Sequence, residues 1–454
     1  MKRLARWLAA AFGLLAIVAA LAVAALWWWQ TADAGAAPAA VHASNPGNPA
    51  ITALAPAEQL ARGAYLARAG DCMACHTVRG GAAYAGGRTI RTPFGTIVTP
   101  NITPDVATGI GSWSADDFWR ALHHGQGKDG RLLYPAFPYT NYTRITRADA
   151  DALHAWLRSV PAARAPNAPH SLRFPYNQQW ALAAWRALYF RPGVFQPESG
   201  QSVDWNRGAY LVQGLGHCSA CHSPRNWLGA TGATLSGGML DGLGWYAPAL
   251  DGAAAPWSQD DLAALLQTGI SARTTASGPM AEVVRASLQH LSAADIGAMA
   301  LYLRTVASAP APTGAPAPRS QRGVEAQARA QAGTQAGAQA GAFLAAGARL
   351  YQQHCVECHG AGGLGQPPHY PPLAGNGALN LEQAVNPIRI VLNGGFAPAT
   401  AGNPRPYGMP PFGHVLNDTE VAQLVSYVRS AWGNHAAPVT ATEVNGYRAV
   451  PLDQ

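Results

Sequence analysis

Apolar positions recur with a helical period in three stretches that begin near Glu58, Asp204 and Ala342, none interrupted by proline. Each stretch carries a related core: Arg62-Gly63-Ala64-Tyr65-Leu66, Arg207-Gly208-Ala209-Tyr210-Leu211 and, more weakly, Gly347-Ala348-Arg349-Leu350-Tyr351. A second pattern repeats further on. Trp113-Ser114-Ala115-Asp116-Asp117-Phe118 matches Trp257-Ser258-Gln259-Asp260-Asp261-Leu262, with Gly125 and Gly269 at equivalent places behind them. Serine before two acids, apolar periodicity and a closing glycine describe a complete short helix. Thr146, Ser292 and Asn417 each stand three residues before an acid (Asp149, Asp295, Glu420), which predicts capping boxes at the start of closing helices bearing Trp156, Tyr302 and Tyr427. The pattern therefore predicts an all-α chain built from duplicated units.

The flanking stretches differ in character. Lys2, Arg3 and Arg6 precede an uncharged run from Trp7 to Trp29, and about 20 apolar residues suffice to span a bilayer. Trp27-Trp28-Trp29 resembles an interfacial aromatic belt and the basic end suits a cytoplasmic N-terminus, so a retained anchor is expected. Ala32-Asp33-Ala34 leaves open a cleaved signal instead. Either outcome places the rest of the chain outside the cytoplasm. The expected layout is an anchor over 1–30, a tether over 31–56, a first domain over 57–160, an aromatic interdomain segment over 161–203, a second domain over 204–306, an Ala/Pro/Gly/Gln-rich linker over 307–341, a third domain over 342–434 and a tail over 435–454. The linker composition predicts that the third domain moves relative to the other two. The aromatic segment is too apolar to float free and should pack on a domain, a partner or a membrane surface.

Charge adds little. The formal net charge is +7, yet only 12% of residues are charged and no Lys/Arg run lies beyond the N-terminus; no nucleic-acid partner is implied. The cysteines add much more. All 6 fall in three copies of one motif: Cys72-Met73-Ala74-Cys75-His76, Cys218-Ser219-Ala220-Cys221-His222 and Cys355-Val356-Glu357-Cys358-His359. C-x-x-C-H is the attachment signature of c-type haem. Two thiols at that spacing can add to the two vinyl groups of one porphyrin, and the next residue reaches the iron. Structural zinc would need its Cys pairs in twos close together, whereas these are far apart in sequence. Three covalently bound haem c groups are expected, held by Cys72, Cys75, Cys218, Cys221, Cys355 and Cys358, with His76, His222 and His359 as proximal ligands. Helix, motif, middle helix, ligand loop and closing helix is the order of a small class I cytochrome c. The expected fold is thus three tandem class I cytochrome c domains behind an N-terminal membrane-anchor helix.

Such a domain takes its sixth iron ligand from between the middle and closing helices, commonly a methionine, which raises the haem potential. Met280 in Gly278-Pro279-Met280 and Met409 in Gly408-Met409-Pro410 fit that position, while Met239 and Met299 are expected to pack. The first domain departs from the pattern, with Phe137 where Met280 stands. Haem 1 is then five-coordinate or takes another ligand such as His123, His124 or His154, and should have the lowest potential of the three. Pro100, Pro248 and Pro372 lie where a backbone carbonyl could orient each proximal ring.

The run from Gly63 to His76, Asn101-Ile102-Thr103-Pro104-Asp105 with Gly109-Ile110-Gly111, the Leu133-Tyr134-Pro135-Ala136 loop, Cys218 to Pro224, and Met409 with Tyr427 to Asn434 together resemble the triheme cytochrome c subunit of bacterial membrane-bound dehydrogenases, over about residues 58 to 435. The resemblance implies an electron wire facing the periplasm. A separate large catalytic subunit, sometimes joined by a small additional subunit, oxidises an alcohol, aldehyde or sugar, and the haems pass electrons to ubiquinone or a terminal oxidase. Members usually have Met where Phe137 stands; the Phe form is similar to cytochromes that accompany molybdenum-dependent aldehyde or N-heterocycle oxidoreductases. A molybdopterin partner is therefore preferred over a PQQ quinoprotein or an FAD flavoprotein. Two other readings stay open: a cytochrome subunit of a terminal oxidase, and a peroxidase-like enzyme using haem 1. No catalytic triad or nucleotide-binding loop is recognisable, so no substrate-oxidising residue is assigned.

Overall fold

The computed structural model describes residues 55–232, 234–251, 257–306 and 334–450. They form two compact units. One runs to Ala220 and takes in Asn226–Ala230; the other holds Cys221–Arg225 and the chain from Thr231 onward. The expected anchor, nearly all of the tether and most of the linker lie outside the described residues. Among the described residues, no helix is long and apolar enough to cross a membrane.

In the first unit, α1 (Pro56–Ala69) carries the chain to the first Cys motif, α2 (Ala115–His124) is the middle helix and α3 (Arg147–Leu157) closes the domain. Helix α1 lies across α3 at Gly63, where an added Cβ would stand 2.1 Å from the Ala152 carbonyl oxygen. Only glycine lets the two backbones approach so closely. Around the crossing Leu66, Leu153 and Leu157 are buried. Ser114 starts α2 with a complete capping box, its hydroxyl taking the Asp117 amide and the Asp117 carboxylate taking the Ser114 amide. Gly125, at φ 57°, ends it in the left-handed conformation that glycine tolerates.

The box expected at Thr146 is only half present. The Thr146 hydroxyl accepts from the Asp149 amide, but the Asp149 carboxylate accepts instead from Arg62 Nε at 2.6 Å and from the Tyr210 hydroxyl at 2.5 Å. Tyr210 in turn takes the Thr146 amide at 3.1 Å. A carboxylate 1% exposed is thus satisfied by a cation and a phenol, as a buried charge must be. Local pattern could not show this, because Tyr210 lies 61 residues further along.

The aromatic segment packs on the first domain. Helix α4 (Gln179–Tyr189) points Arg186 at the end of α2, donating to the His124 carbonyl at 2.6 Å and lying over the Tyr139 and Phe190 rings. Asn167 accepts the Asn101 amide at 2.7 Å. The all-α expectation also needs amendment. Strands β1 (Thr89–Thr92) and β2 (Gly95–Val98) form an antiparallel hairpin that β3 (Ser171–Leu172) extends. Alternating Thr and Ile around Pro93-Phe94 is the signal for it. Helix α5 (Val203–Gln213) completes this unit's lead toward the second motif.

In the second unit, β4 (Gly238–Leu240) pairs with β5 (Trp245–Ala247), followed by α6 (Gln259–Thr268), α7 (Pro279–Ala286) and α8 (Ala293–Thr305). Then come α9 (Thr334–His354), α10 (Val385–Asn393), the pair β6 (Gly395–Phe396) and β7 (Gly408–Met409), α11 (Asp418–Val428) and α12 (Ala441–Arg448). Helix α9 begins inside the stretch expected to be linker, since its Ala and Gln residues are strong helix formers. It meets α11 at Gly347, where a Cβ would stand 2.1 Å from the Gln423 carbonyl oxygen, repeating the Gly63 crossing. The expected tail folds back: Arg448 Nε donates to Asp418 at 2.7 Å and Val444 is fully buried. Thr440 caps α12 through the Glu443 amide, a Thr-x-x-Glu signal present in the sequence.

Expected mobility of the third domain is not what the contacts show. The Asn386 side chain pairs with both the amide and the carbonyl of Tyr246, at 3.0 and 2.8 Å. Arg389 lies over the Trp245 ring at 5.0 Å, and Thr400 donates to the Thr268 carbonyl at 3.1 Å. A low-complexity connection constrains nothing by itself, so these side chains fix the docking.

Gly347→Ala should lower the melting temperature of the full chain through a clash costing about 1–3 kcal/mol. Gly341→Ala, with nothing within 4 Å of the new methyl, should leave it unchanged or raise it. Thermal unfolding followed by circular dichroism distinguishes the two, and equal melting temperatures would contradict the crossing.

Candidate functional site

Each Cys motif ends in a helical turn that presents a histidine. The turns are Cys72–His76, Ser219–His222 and Val356–His359. The chain bends sharply into the first two, with Asp71 at φ 49° and His217 at φ 37°. The side chain of Arg88 clasps the first turn by donating to the Ala74 carbonyl at 2.6 Å, and the Tyr351 hydroxyl closes the third on the Gly360 carbonyl at 2.6 Å. Sequence reasoning missed both residues: a lone Arg fourteen positions downstream carries no pattern, and Tyr351 read as an apolar helix position.

The three histidines share one arrangement. His76 Nδ1 lies 2.8 Å from the Pro100 carbonyl oxygen, His222 Nδ1 2.7 Å from that of Pro248 and His359 Nδ1 3.0 Å from that of Pro371. A carbonyl only accepts, so Nδ1 carries the proton and Nε2 keeps its lone pair for a metal. Pro100 and Pro248 are the residues expected from the sequence. The third is Pro371 instead of Pro372, whose carbonyl accepts from Asn376 Nδ2 at 2.9 Å; Pro-Pro offers two carbonyls and only the turn chooses between them. Desolvation holds all three imidazoles below their ordinary pKa, with the carbonyls opposing it. They are therefore neutral at pH 7.

All 6 cysteines are free of disulfides. Burial, reinforced by Asp71 and Cys75, pushes the Cys72 thiol up to about 12, and burial pushes Cys355 up to about 11. Such thiols lack the depressed pKa of redox-active or nucleophilic cysteines. Paired thiols beside a histidine with a directed Nε2 are what a covalently attached haem needs, and the donor set fits it three times.

Met409 lies on β7, paired with Gly395 of β6, and packs against the third domain's core. Met280 stands at the second position of α7, just behind Gly278 with its φ of 55°, so the expected loop is a helix start there. Met299 is 1% exposed in α8, packing as expected. Phe137 stacks edge-on against Tyr142, ring centres 5.4 Å apart. His123, at 8% exposure, stacks on Trp119 at 4.4 Å with Nδ1 3.4 Å from the Thr143 hydroxyl. His124 lies edge-on against His123, and His154 rests on Phe118.

A family profile for cytochrome c matches residues 60–161, 206–307 and 344–432. The chain belongs to the cytochrome c family. As a cytochrome c with three such domains it binds three covalently attached haem c groups; haem supplies one-electron chemistry, and the protein sets ligation, burial and spacing. This cytochrome is 40% identical over 411 residues to the gluconate 2-dehydrogenase cytochrome c subunit of Pantoea cypripedii, covering 85% of this chain and 89% of that one. It is 35% identical over 403 residues to the cytochrome c subunit of the quinone alcohol dehydrogenase of Komagataeibacter europaeus, covering 85% and 83%. It is also 43% identical over 385 residues to one of the subunits of nicotinate dehydrogenase from Pseudomonas putida, covering 82% of this cytochrome but only 30% of that longer protein.

Two outcomes follow from this geometry. Haem per chain, measured as the pyridine haemochrome, should be three and should fall to two in Cys72→Ala/Cys75→Ala. Burial, then the neighbouring His124, lowers His123 from 6.5 to about 4. Its unfolded form therefore takes up protons first, so stability is full above pH 6.5 and declines as pH falls toward 4. His123→Gln should flatten that decline in acid-unfolding curves, and an unchanged slope would contradict the buried neutral ring.

Proposed function

We propose that this cytochrome is the triheme electron-transfer subunit of a membrane-bound dehydrogenase complex facing the periplasm. A separate large subunit oxidises the substrate, and electrons leave through the three haems to ubiquinone or a terminal oxidase. The observation that carries the reading is the threefold repetition of a Cys-x-x-Cys-His turn with its ring aimed by a backbone carbonyl, in a chain that aligns over most of its length with dehydrogenase cytochrome subunits. Thioether links are assigned to Cys72 and Cys75, Cys218 and Cys221, Cys355 and Cys358. Proximal ligation is assigned to His76, His222 and His359, and distal ligation at haems 2 and 3 to Met280 and Met409. Residues 1–30 serve as the anchor.

The partner's cofactor class follows from haem 1. Phe137 cannot ligate iron, and a chain with that substitution resembles cytochromes of molybdenum-dependent enzymes. The likeness to a nicotinate dehydrogenase subunit supports the same branch, nicotinate being an N-heterocycle. A molybdopterin subunit is therefore favoured over a PQQ or FAD subunit.

Purification of the native complex from membranes tests the reading. Recovery of a large subunit containing molybdopterin is the expected result; a copper-haem oxidase core, or a solitary chain, would overturn it. Separately, Phe137→Met should raise the lowest of the three reduction potentials and leave the other two in place, because a thioether ligand favours the ferrous state. Redox titration reads this directly.

A further inference from the structure

Helix α4 of the first unit is turned inside out. A surface helix normally buries its apolar side and shows water its polar one. Here the polar side chains face inward: Gln179 Oε1 accepts the Leu132 amide at 2.8 Å, and Arg186 donates to the His124 carbonyl at 2.6 Å. They flank Leu182 and Ala183, which are buried. Trp180, Ala184 and Leu188, spaced four residues apart, form a stripe on the opposite side. Leu188 is 66% exposed, so the outer face is uncovered and wholly apolar.

More aromatic surface is fastened to the same helix. Trp185 Nε1 donates to the Leu228 carbonyl at 3.0 Å, pinning the segment that carries Trp227, itself 80% exposed. In that segment Gly229 is so close to Phe94 that an added Cβ would stand 2.7 Å from the ring, and Phe94 packs on Tyr176 at 4.5 Å, near the exposed Phe174. An apolar face of this kind marks an interaction site. Charge narrows the choice of partner: from Val160 to Pro197 the chain has no acid and four arginines, Arg164, Arg173, Arg186 and Arg191, of which all but Arg186 are exposed. Trp, Tyr and Leu beside arginine, without acids, suit a phospholipid interface with anionic headgroups.

We propose that the outer face of α4, with Trp180, Leu188 and Trp227 as its apolar contacts and Arg173 and Arg191 as its cations, lies on the phospholipid surface of the membrane. This rests on the anchor assigned above to residues 1–30. The described chain begins at Ala55 in this unit, and 25 residues between it and the anchor span at most about 90 Å. Tethering at that range raises the effective concentration of lipid at the face, so a modest apolar contact suffices.

The full chain with its three haems, reconstituted in vesicles of phosphatidylethanolamine and phosphatidylglycerol, provides the test. A spin label on Leu188→Cys finds the one thiol not used by haem. Its relaxation by oxygen, which concentrates in lipid, should rise several-fold over that of the same chain in detergent-free solution, and its relaxation by a water-soluble nickel chelate should fall. Adding Trp180→Asp/Trp227→Asp should return the label to water with the haem content still three; a label still in lipid would refute the assigned contacts. A chain that floats with the vesicles while its label stays open to the chelate would overturn the proposal and leave the anchor standing. Shielding of the label only when the native large subunit is bound would make the face a protein interface and overturn it equally. A chain that does not float with vesicles at all would remove the anchor reading and the proposal with it.

Discussion

A backbone carbonyl held within hydrogen-bond reach of an imidazole Nδ1 is the interaction on which this structure depends. It appears at His76, His222 and His359 with nearly the same length. Each instance removes a rotational freedom of the ring and leaves Nε2 as its available donor atom. Much of the surrounding structure serves to bring one proline carbonyl back to one helical turn. Arg88 and Tyr351 stiffen turns from the side, and the intervening loops return the prolines. Because the carbonyls are supplied by the backbone, side-chain identity around them is free to vary, provided that the loops keep their course.

The frame that supports those turns is a helix crossing at glycine. Gly63 and Gly347 each let the first helix of a domain lie directly against a carbonyl of its closing helix. The first helix leads straight into the Cys motif, so the crossing fixes where the motif begins. Caps then fix where the other helices begin: Ser114, Ser258, Ser292 and Asn417 each accept an amide at the third helical position. Thr146 keeps that bond but shares its acid with a wider network. Arg62, Asp149 and Tyr210 tie α1, α3 and α5 together, and a local capping rule yields there to the need to satisfy a buried carboxylate.

Repetition did not produce three identical sites. The first domain has Phe137 and a polar joint through Asn141 and Tyr142, whereas the third is docked on the second by Asn386 and Arg389. Those contacts bring a three-haem chain into fixed arrangements within each unit, which an electron carrier needs more than it needs any single catalytic group.

The sequence by itself determined the chemistry: three Cys-x-x-Cys-His turns, their three haems, the middle and closing helices and the odd position of Phe137. These are local facts, since thiol spacing, a cap and an apolar period all act within a few residues of each other. Short strands around Pro93-Phe94 and the final helix capped by Thr440 were also written locally, but each is too brief to stand out. The choice of Pro371 over Pro372, the diversion of Asp149 to Tyr210, the packing of the aromatic segment through Arg186 and the anchoring of the third domain through Asn386 were decided only by the tertiary structure. In each of those cases the partners lie 12 to 140 residues apart. Neither partner carries a signal alone, and which distant groups meet is settled by the packing that must satisfy every buried donor, acceptor and charge at once.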